Sequence, residues 1–443
     1  MFAHRASAQF TKRIKPMTEH DFTYTKDAHA AAWTEHYVFN QLIPYIGNKR
    51  KLLGLIHEAI GRTGAAAGAT FLDMFAGSGV VARMAKQLGF RVLANDWEPY
   101  AEAINRCYVE CNAPPPFRAL GGYDTAIGRL NALPPRADWV TRHLCPASDQ
   151  RYDRARDRLF YTRANGMIID AMREQIDQWQ RAGDLSLHER DCLLAPMLYQ
   201  ACYTSNTSGV FKGFHNGWGG QTGTALYRIL ARFELRPALF HDNRQPNQVF
   251  RMDATALAGQ LRAAGQRAEI AYLDPPYNQH PYGSNYHVLN SIALWDRPPL
   301  SEHIAGRNKA AIRTDWRAER RSAYNHRGDA EQAFATLLAA LDARWILTSY
   351  STDGVIPLGA LVRACADRGH TSVVQREYKR YRVSSQRFSA KPLNIEFVLI
   401  VDTARRHAGP SPEAICEQLR HAERAALAEH PEMQSGRSAD DAD

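Results

Sequence analysis

No stretch of this 443-residue chain approaches the ~20 consecutive apolar residues that a membrane helix needs, so no membrane partner is expected. The seven cysteines include no Cys-x-x-Cys pair, which removes the usual zinc spacings and leaves no metal implied. An odd number of cysteines without an apolar secretion signal reads as reduced thiols in a cytosol. Acids are missing from residues 1–16, where Arg5, Lys12, Arg13 and Lys15 stand. A transit peptide and a basic arm share that composition, and the arm is the simpler reading. No repeat of 20–50 residues is visible, which sets solenoids aside.

What the chain has is a surplus of base, with 55 Lys and Arg against 46 Asp and Glu, a net charge of +9 and a pI near 9.2. That balance suits a polyanionic partner. The length exceeds what one small core needs, so a catalytic domain with a substantial second module is expected.

Helical spacing marks Leu52, Leu53, Ile56 and Ile60. An apolar run, Thr70-Phe71-Leu72, then ends in Asp73 and a glycine turn, followed by a helix over 80–88 and a strand over 91–94. Strand, glycine turn, helix, strand is the opening of a doubly wound α/β sheet. The middle, roughly 113–250, breaks this rhythm with proline clusters, a charged helix near 163–182 and a Gly/Asn/Trp loop at 205–223. Strands resume at 269–273, 345–349 and 396–401. The reading is therefore α/β: a basic arm (1–39), a cofactor half (40–112), a largely helical insertion (113–250), a catalytic half (251–402) and a polar tail (403–443).

Three features carry chemistry. In Asp73-Met74-Phe75-Ala76-Gly77-Ser78-Gly79, glycines at a strand-to-helix turn let the backbone approach a ligand closely. Asp96 follows the second strand, 23 residues after Asp73, where an acid commonly binds ribose hydroxyls. The dinucleotide fingerprint lacks its third glycine, because position 82 is Ala. An adenosine cofactor without a pyrophosphate fits better than NAD.

The third is Asp274-Pro275-Pro276-Tyr277 at the end of an apolar strand. Consecutive prolines cannot extend a sheet ladder and force a rigid exit. An Asp carboxylate beside a proline carbonyl can accept both hydrogens of an amino group, drawing the nitrogen lone pair out of its ring. Tyr277 offers a flat face for stacking a base.

These residues resemble the DNA amino-methyltransferases. Asp274-Pro275-Pro276-Tyr277 is similar to their catalytic motif, and Phe75-Ala76-Gly77-Ser78-Gly79 to their Phe-x-Gly-x-Gly cofactor motif. Gln41-Leu42-Ile43-Pro44-Tyr45-Ile46-Gly47-Asn48-Lys49 resembles the segment that packs over the cofactor in the adenine-specific group. The motif order matches the alpha arrangement of the DNA adenine methylases of restriction-modification and mismatch-repair systems.

The resemblance implies a Rossmann-like S-adenosylmethionine-dependent fold whose insertion recognises the target. It also implies transfer of a methyl group from S-adenosylmethionine to N6 of an adenine flipped out of double-stranded DNA. Asp274, Pro275, Pro276 and Tyr277 would be catalytic. Tyr45, Gly47 and Lys49 would line the methionine end of the cofactor; Asp73, Phe75, Gly77 and Gly79 would surround its amino acid and adenine portions. Asp96 would bind the ribose and Asp253 the adenine amine, although an Asp before a helix is also a common N-cap.

DNA contacts are expected from Lys212, His215 and Asn216 in the 205–223 loop. They are also expected from Arg313, Arg317, Arg320 and Arg321 in a basic loop, 297–327, which holds eight Lys or Arg against three acids. A monomer in a bacterial or phage-encoded setting follows, with a cognate restriction endonuclease as its natural counterpart. Cytosine N4, an RNA base, a protein amide, and a catalytically dead DNA-binding relative are the alternatives this pattern leaves open.

Overall fold

A computed structural model describes residues 33–220, 223–379, 393–405 and 409–429. The basic segment 1–16 and the acidic end 430–443 lie outside the described residues. Seven strands form one sheet: β1 (Thr70–Asp73), β2 (Arg91–Asn95), β3 (Gln248–Phe250), β4 (Ala268–Leu273), β5 (Ala343–Ser351), β6 (His370–Lys379) and β7 (Leu393–Asp402). Their order is β3-β2-β1-β4-β5-β7-β6. β7 runs antiparallel to both its neighbours, and the other pairings are parallel.

The apolar strands are covered on both faces, as parallel sheets require. Alternation sorts their side chains. Phe71, Val92, Ile270 and Val398 pack with the helices Leu53–Thr63 and Val80–Gln87. Leu72, Leu93, Ala271 and Leu399 face the helices Ala254–Ala263, Ala330–Ala340 and Leu358–Ala366. The seven cysteines are all buried and free. Among the described residues no helix is long and apolar enough to cross a membrane.

Three expected boundaries move. Within the expected arm, Tyr37 and Val38 of the short helix Glu35–Val38 are buried. The insertion is no detached module: its last residues form β3 at the sheet edge. Its helices Arg163–Ala182 and Leu187–Tyr203 share one core with residues 100–111 and with the helix His287–Leu294. The tail begins with a packed helix, Pro412–Glu429, which buries Ile415, Cys416, Leu419 and Ala426 against the sheet. Its polar face dominates its composition, and this hides the four-residue apolar stripe.

Candidate active site

The carboxy ends of β1, β2 and β4 each carry an aspartate, because parallel strands bring equivalent positions to one edge. Asp73 is 1% exposed and its Oδ1 has no hydrogen-bond partner. Burial pushes its pKa well up, and the nearby Asp274 and Asp96 push it further. Asp96 ties the glycine turn to β2: its Oδ2 accepts from the Gly77 N–H at 2.8 Å and its Oδ1 from the Glu98 N–H at 2.9 Å. Burial raises the pKa of Asp96 too, against three backbone N–H groups. Three acids gathered in a dry place form a site that a cation would relieve.

Gly77 holds φ +51°, and a Cβ there would stand 2.8 Å from the Tyr45 ring. Gly47 holds φ +73°, and its Cβ would stand 2.7 Å from the Tyr277 hydroxyl. Both positions need glycine for conformation and for clearance. Gly79, at φ 79°, starts the helix Val80–Gln87. Tyr45 stacks on Tyr282 and Tyr286, with ring centres 5.0 Å away in each case. The Tyr286 hydroxyl also anchors this segment by accepting the Ile46 N–H at 2.8 Å.

Beside these acids lies a cavity of about 180 Å³. Tyr45, Gly47, Phe75, Asp96, Asp253, Asp274, Pro276, Arg320 and Arg321 all line it, so the structure gathers nine of the expected residues from six separated stretches of chain. Asp253 fills both roles considered for it: Oδ1 caps the helix Ala254–Ala263 by accepting from Thr255 and Ala256, while the residue also lines the cavity.

Several expected residues stand elsewhere. Lys49 is 3% exposed and does not line the cavity; its Nζ lies 3.0 Å from Asp274 Oδ1 and 3.9 Å from Glu396 Oε2. It is the counter-ion of the motif's aspartate, and the reason is that a buried carboxylate needs one. Burial alone would lower its pKa, but Asp274, Tyr277 and Glu396 outweigh burial and hold it charged. For Asp274 burial raises the pKa and Lys49 works against it. The Tyr277 ring also lies off the cavity wall, with Lys49 Nζ 4.9 Å from its centre and Tyr350 edge-on at 6.1 Å. Pro275 is buried and Pro276 lines the cavity.

Sequence reasoning missed Glu98, Tyr324, Asn325 and Glu396. Glu98, lining the cavity, is 7% exposed and accepts from Asn290 Nδ2 at 2.6 Å. Burial is the main cause that pushes its pKa up to about 7. Tyr324 closes the far wall, edge-on to Phe75 at 5.3 Å, and Asn325 donates to the Asn278 carbonyl at 2.6 Å. No sequence signal marks Tyr324 or Asn325. Glu396 is legible in principle, as an acid inside the largely apolar β7.

The expected DNA contacts divide. Arg313 is 7% exposed and braces its own loop through Asp296 and Asp315. Arg320 is 10% exposed and pairs with Asp315, Glu319 and Glu98. Both arginines are held by neighbouring acids, and Arg320 also lines the cavity. Arg317 and Arg321 are exposed, and Arg321 lines the cavity mouth. In the 205–220 loop, Asn206 is fully buried and organises the turn by donating to the His215 and Gly217 carbonyls. His215 is partly buried, Lys212 reaches His280 at 3.4 Å and Asn216 accepts from Lys309 at 2.9 Å. The Phe211 N–H donates to the Asn285 carbonyl at 2.7 Å, tying this loop to the short helix Tyr282–Asn285.

A parallel sheet with one antiparallel strand, a glycine turn and an aspartate-proline segment at one edge define a Rossmann-like methyltransferase. The model of the D12 class N6 adenine-specific DNA methyltransferases matches residues 45–315. The chain belongs to this family: it is an N6 adenine-specific DNA methyltransferase, and membership implies S-adenosylmethionine as the methyl donor. Type II methyltransferase M.NlaIII of Neisseria lactamica is 31% identical over 340 residues, which is 76% of this chain and 92% of that protein. Type II methyltransferase M.CviAII of Paramecium bursaria Chlorella virus 1 is 28% identical, covering 77% of this chain and 93% of its own. Modification methylase LlaI of Lactococcus lactis subsp. lactis is 27% identical over 83% of this chain, and the chain spans 56% of that longer relative.

Proposed function

We propose that this enzyme methylates adenine N6 at defined sites in double-stranded DNA, with the cofactor held in the cavity between Tyr45 and Asp253 and with Asp274 as the acceptor of the amine hydrogens. The observation that carries this reading is the meeting of Asp274 with the acid-lined cavity at one sheet edge.

The donor set fits S-adenosylmethionine. Phe75 and Tyr324 offer aromatic walls, and Asp73, buried next to the cavity without lining it, adds a further acid to the carboxylates that suit a cationic ligand. Asp96, Glu98 and Asp253 line the same space and supply acceptors for hydroxyl and amine hydrogens. The bound cofactor supplies a methyl group on a positively charged sulfur.

The chain's own groups prepare the nucleophile. Lys49 keeps Asp274 ionised despite its burial, so the carboxylate can accept from the adenine amine. With the Pro275 carbonyl as second acceptor, the amine lone pair is freed from the ring, and the charge that develops on nitrogen meets a preorganised carboxylate. No covalent enzyme intermediate is required, because the base provides the nucleophile. Tyr277 stacks on the flipped base after turning from Lys49, or holds the wall behind it.

Lys212, Asn216, Arg317 and Arg321 grip DNA around the open mouth, offsetting the few kcal/mol that flipping costs. A monomer acting on one strand at a time is the working form in this reading. The relatives' names, type II methyltransferase and modification methylase, extend to a role here beside a cognate restriction endonuclease.

The test is incubation with S-adenosylmethionine and unmethylated bacterial DNA, then mass spectrometry of the nucleosides. N6-methyladenine is expected. Asp274→Ala should lower its formation by about 10²–10⁴-fold while cofactor binding persists. Undiminished turnover in that variant would remove Asp274 from the chemistry.

A further inference from the structure

A second cavity lies apart from the cofactor site among the helices of the middle region. Its wall carries four guanidinium groups, Arg173, Arg181, Arg190 and Arg251, against the carboxylates Glu102 and Asp177. Three of the four have acidic partners. Arg251 reaches Glu102 at 3.1 Å, Arg190 reaches Asp191 at 2.7 Å, and Arg181 pairs with Asp177. Glu102 also serves Arg106, as does Asp191, so those two carboxylates are shared between arginines.

Among the described residues Arg173 has no acidic partner within ion-pair distance. It is 2% exposed and donates through Nε and Nη2 to the Ile292 and Ala293 carbonyls, at 2.8 and 3.2 Å, near the end of the helix His287–Leu294. Those two bonds explain why an arginine stands there. They do not explain Nη1, which is buried with no hydrogen-bond partner. A buried donor left unmade costs about 1–3 kcal/mol, and more when the group is charged. Burial chiefly, with help from Arg190 and Arg297 and against Asp177 and Asp191, pushes the Arg173 guanidinium down to about 10.

We propose that this cavity is a phosphate-binding site, in which Arg173, Arg181, Arg190 and Arg251 receive one phosphate group. Guanidinium forks match the oxygen spacing of phosphate and bind it bidentately. Arg251 on its wall stands two residues before Asp253 of the cofactor cavity, so one short stretch of chain serves both. A phosphate here is presented either by the DNA backbone beyond the flipped base or by a small phosphorylated molecule.

The test uses the full-length enzyme and an Arg181→Gln/Arg251→Gln double variant, whose wild-type side chains are 66% and 42% exposed. Arg181→Gln alone serves if the double variant melts early. Duplex binding is titrated across NaCl concentrations, and thermal midpoints are compared in inorganic phosphate and in chloride of equal ionic strength. If the DNA backbone is the source, the variant's slope of log Kd against log[NaCl] is shallower by about 0.9 for each phosphate no longer neutralised. If a small molecule is the source, that slope is unchanged, and phosphate raises the melting midpoint of the wild type and not of the variant. An unchanged slope together with equal phosphate response overturns the proposal. Methylation of adenine is scored separately, so failure here leaves the catalytic reading standing.

Discussion

Replacing Lys49 with methionine is the most informative single change, because it keeps the stem's bulk and removes one charge from a buried trio. Lys49 Nζ lies 3.0 Å from Asp274 and 3.9 Å from Glu396, and the three side chains are 3%, 16% and 5% exposed. Removing one partner of a buried ion pair costs about 3–5 kcal/mol, since the other charge is left unpaired. Here two carboxylates lose their common cation. The protein can limit the damage by taking up protons, and this fixes the signs of two pH dependences. Burial already raises the pKa of Asp274 and Glu396, with Lys49 opposing it; without Lys49 both rise further.

On the role proposed for Asp274 methylation needs that carboxylate ionised, so the acidic limb of the variant's activity profile moves to higher pH. Stability moves the opposite way. A carboxyl with a raised folded pKa contributes stability that is full below its unfolded value and lost as pH rises through the folded one. The variant should therefore lie nearest the wild type in stability at acidic pH and fall behind as pH rises. Urea unfolding from pH 5 to 9, paired with single-turnover methylation across the same range, reads both trends. Superimposable activity profiles and unfolding free energies within about 0.5 kcal/mol, the range of ordinary surface changes, would refute the counter-ion argument.

Other expectations are narrower. Glu98, raised from 4.5 to about 7, makes the cofactor-free enzyme lose stability between those values, and Glu98→Gln should flatten that stretch of a melting-temperature profile. Gly77→Ala sets a Cβ 2.8 Å from Tyr45 at φ +51°, and should weaken cofactor affinity at least tenfold, about 1.4 kcal/mol, by calorimetry. Arg313→Ala should cost about 1.5–3 kcal/mol of stability in urea unfolding, because its charge-assisted bonds disappear. Arg321→Ala should leave stability alone and make the salt dependence of DNA binding shallower by about 0.9; an unchanged slope would remove Arg321 from the interface.

Local chemistry was legible in the sequence, and long-range pairing was not. The glycine turn, both flanking strands and the strand before Asp274 follow from apolar runs ending in turn residues, and these elements stand at Thr70–Asp73, Val80–Gln87, Arg91–Asn95 and Ala268–Leu273. The same patterns give no warning that Lys49 turns toward Asp274, since nothing between residues 49 and 274 encodes that approach locally. Arg313 and Arg320 read as surface charge because Asp296, Asp315 and Glu98 are partners only in the folded chain. Tyr324 and Asn325 sit in a loop of mixed composition, so their place on the cavity wall depends on a path that periodicity does not describe. β6 leaves no clear signal because its alternation is interrupted by polar residues from His370 to Lys379.

The trio of Lys49, Asp274 and Glu396 draws on three widely separated stretches of the chain, and the last of them lies on β7. During synthesis the first two stretches leave the ribosome well before the third, so a nascent chain can form its glycine turn and most of the sheet while the trio is still incomplete. Until β7 slides between β5 and β6, Lys49 and Asp274 lack their third member, and the edge of β5 is open to other strands. On the role proposed for Asp274, a chain stalled before the closing strand lacks the completed trio and leaves a sheet edge open to aggregation. Placing that carboxylate on β7 would then tie the appearance of activity to the completion of the sheet.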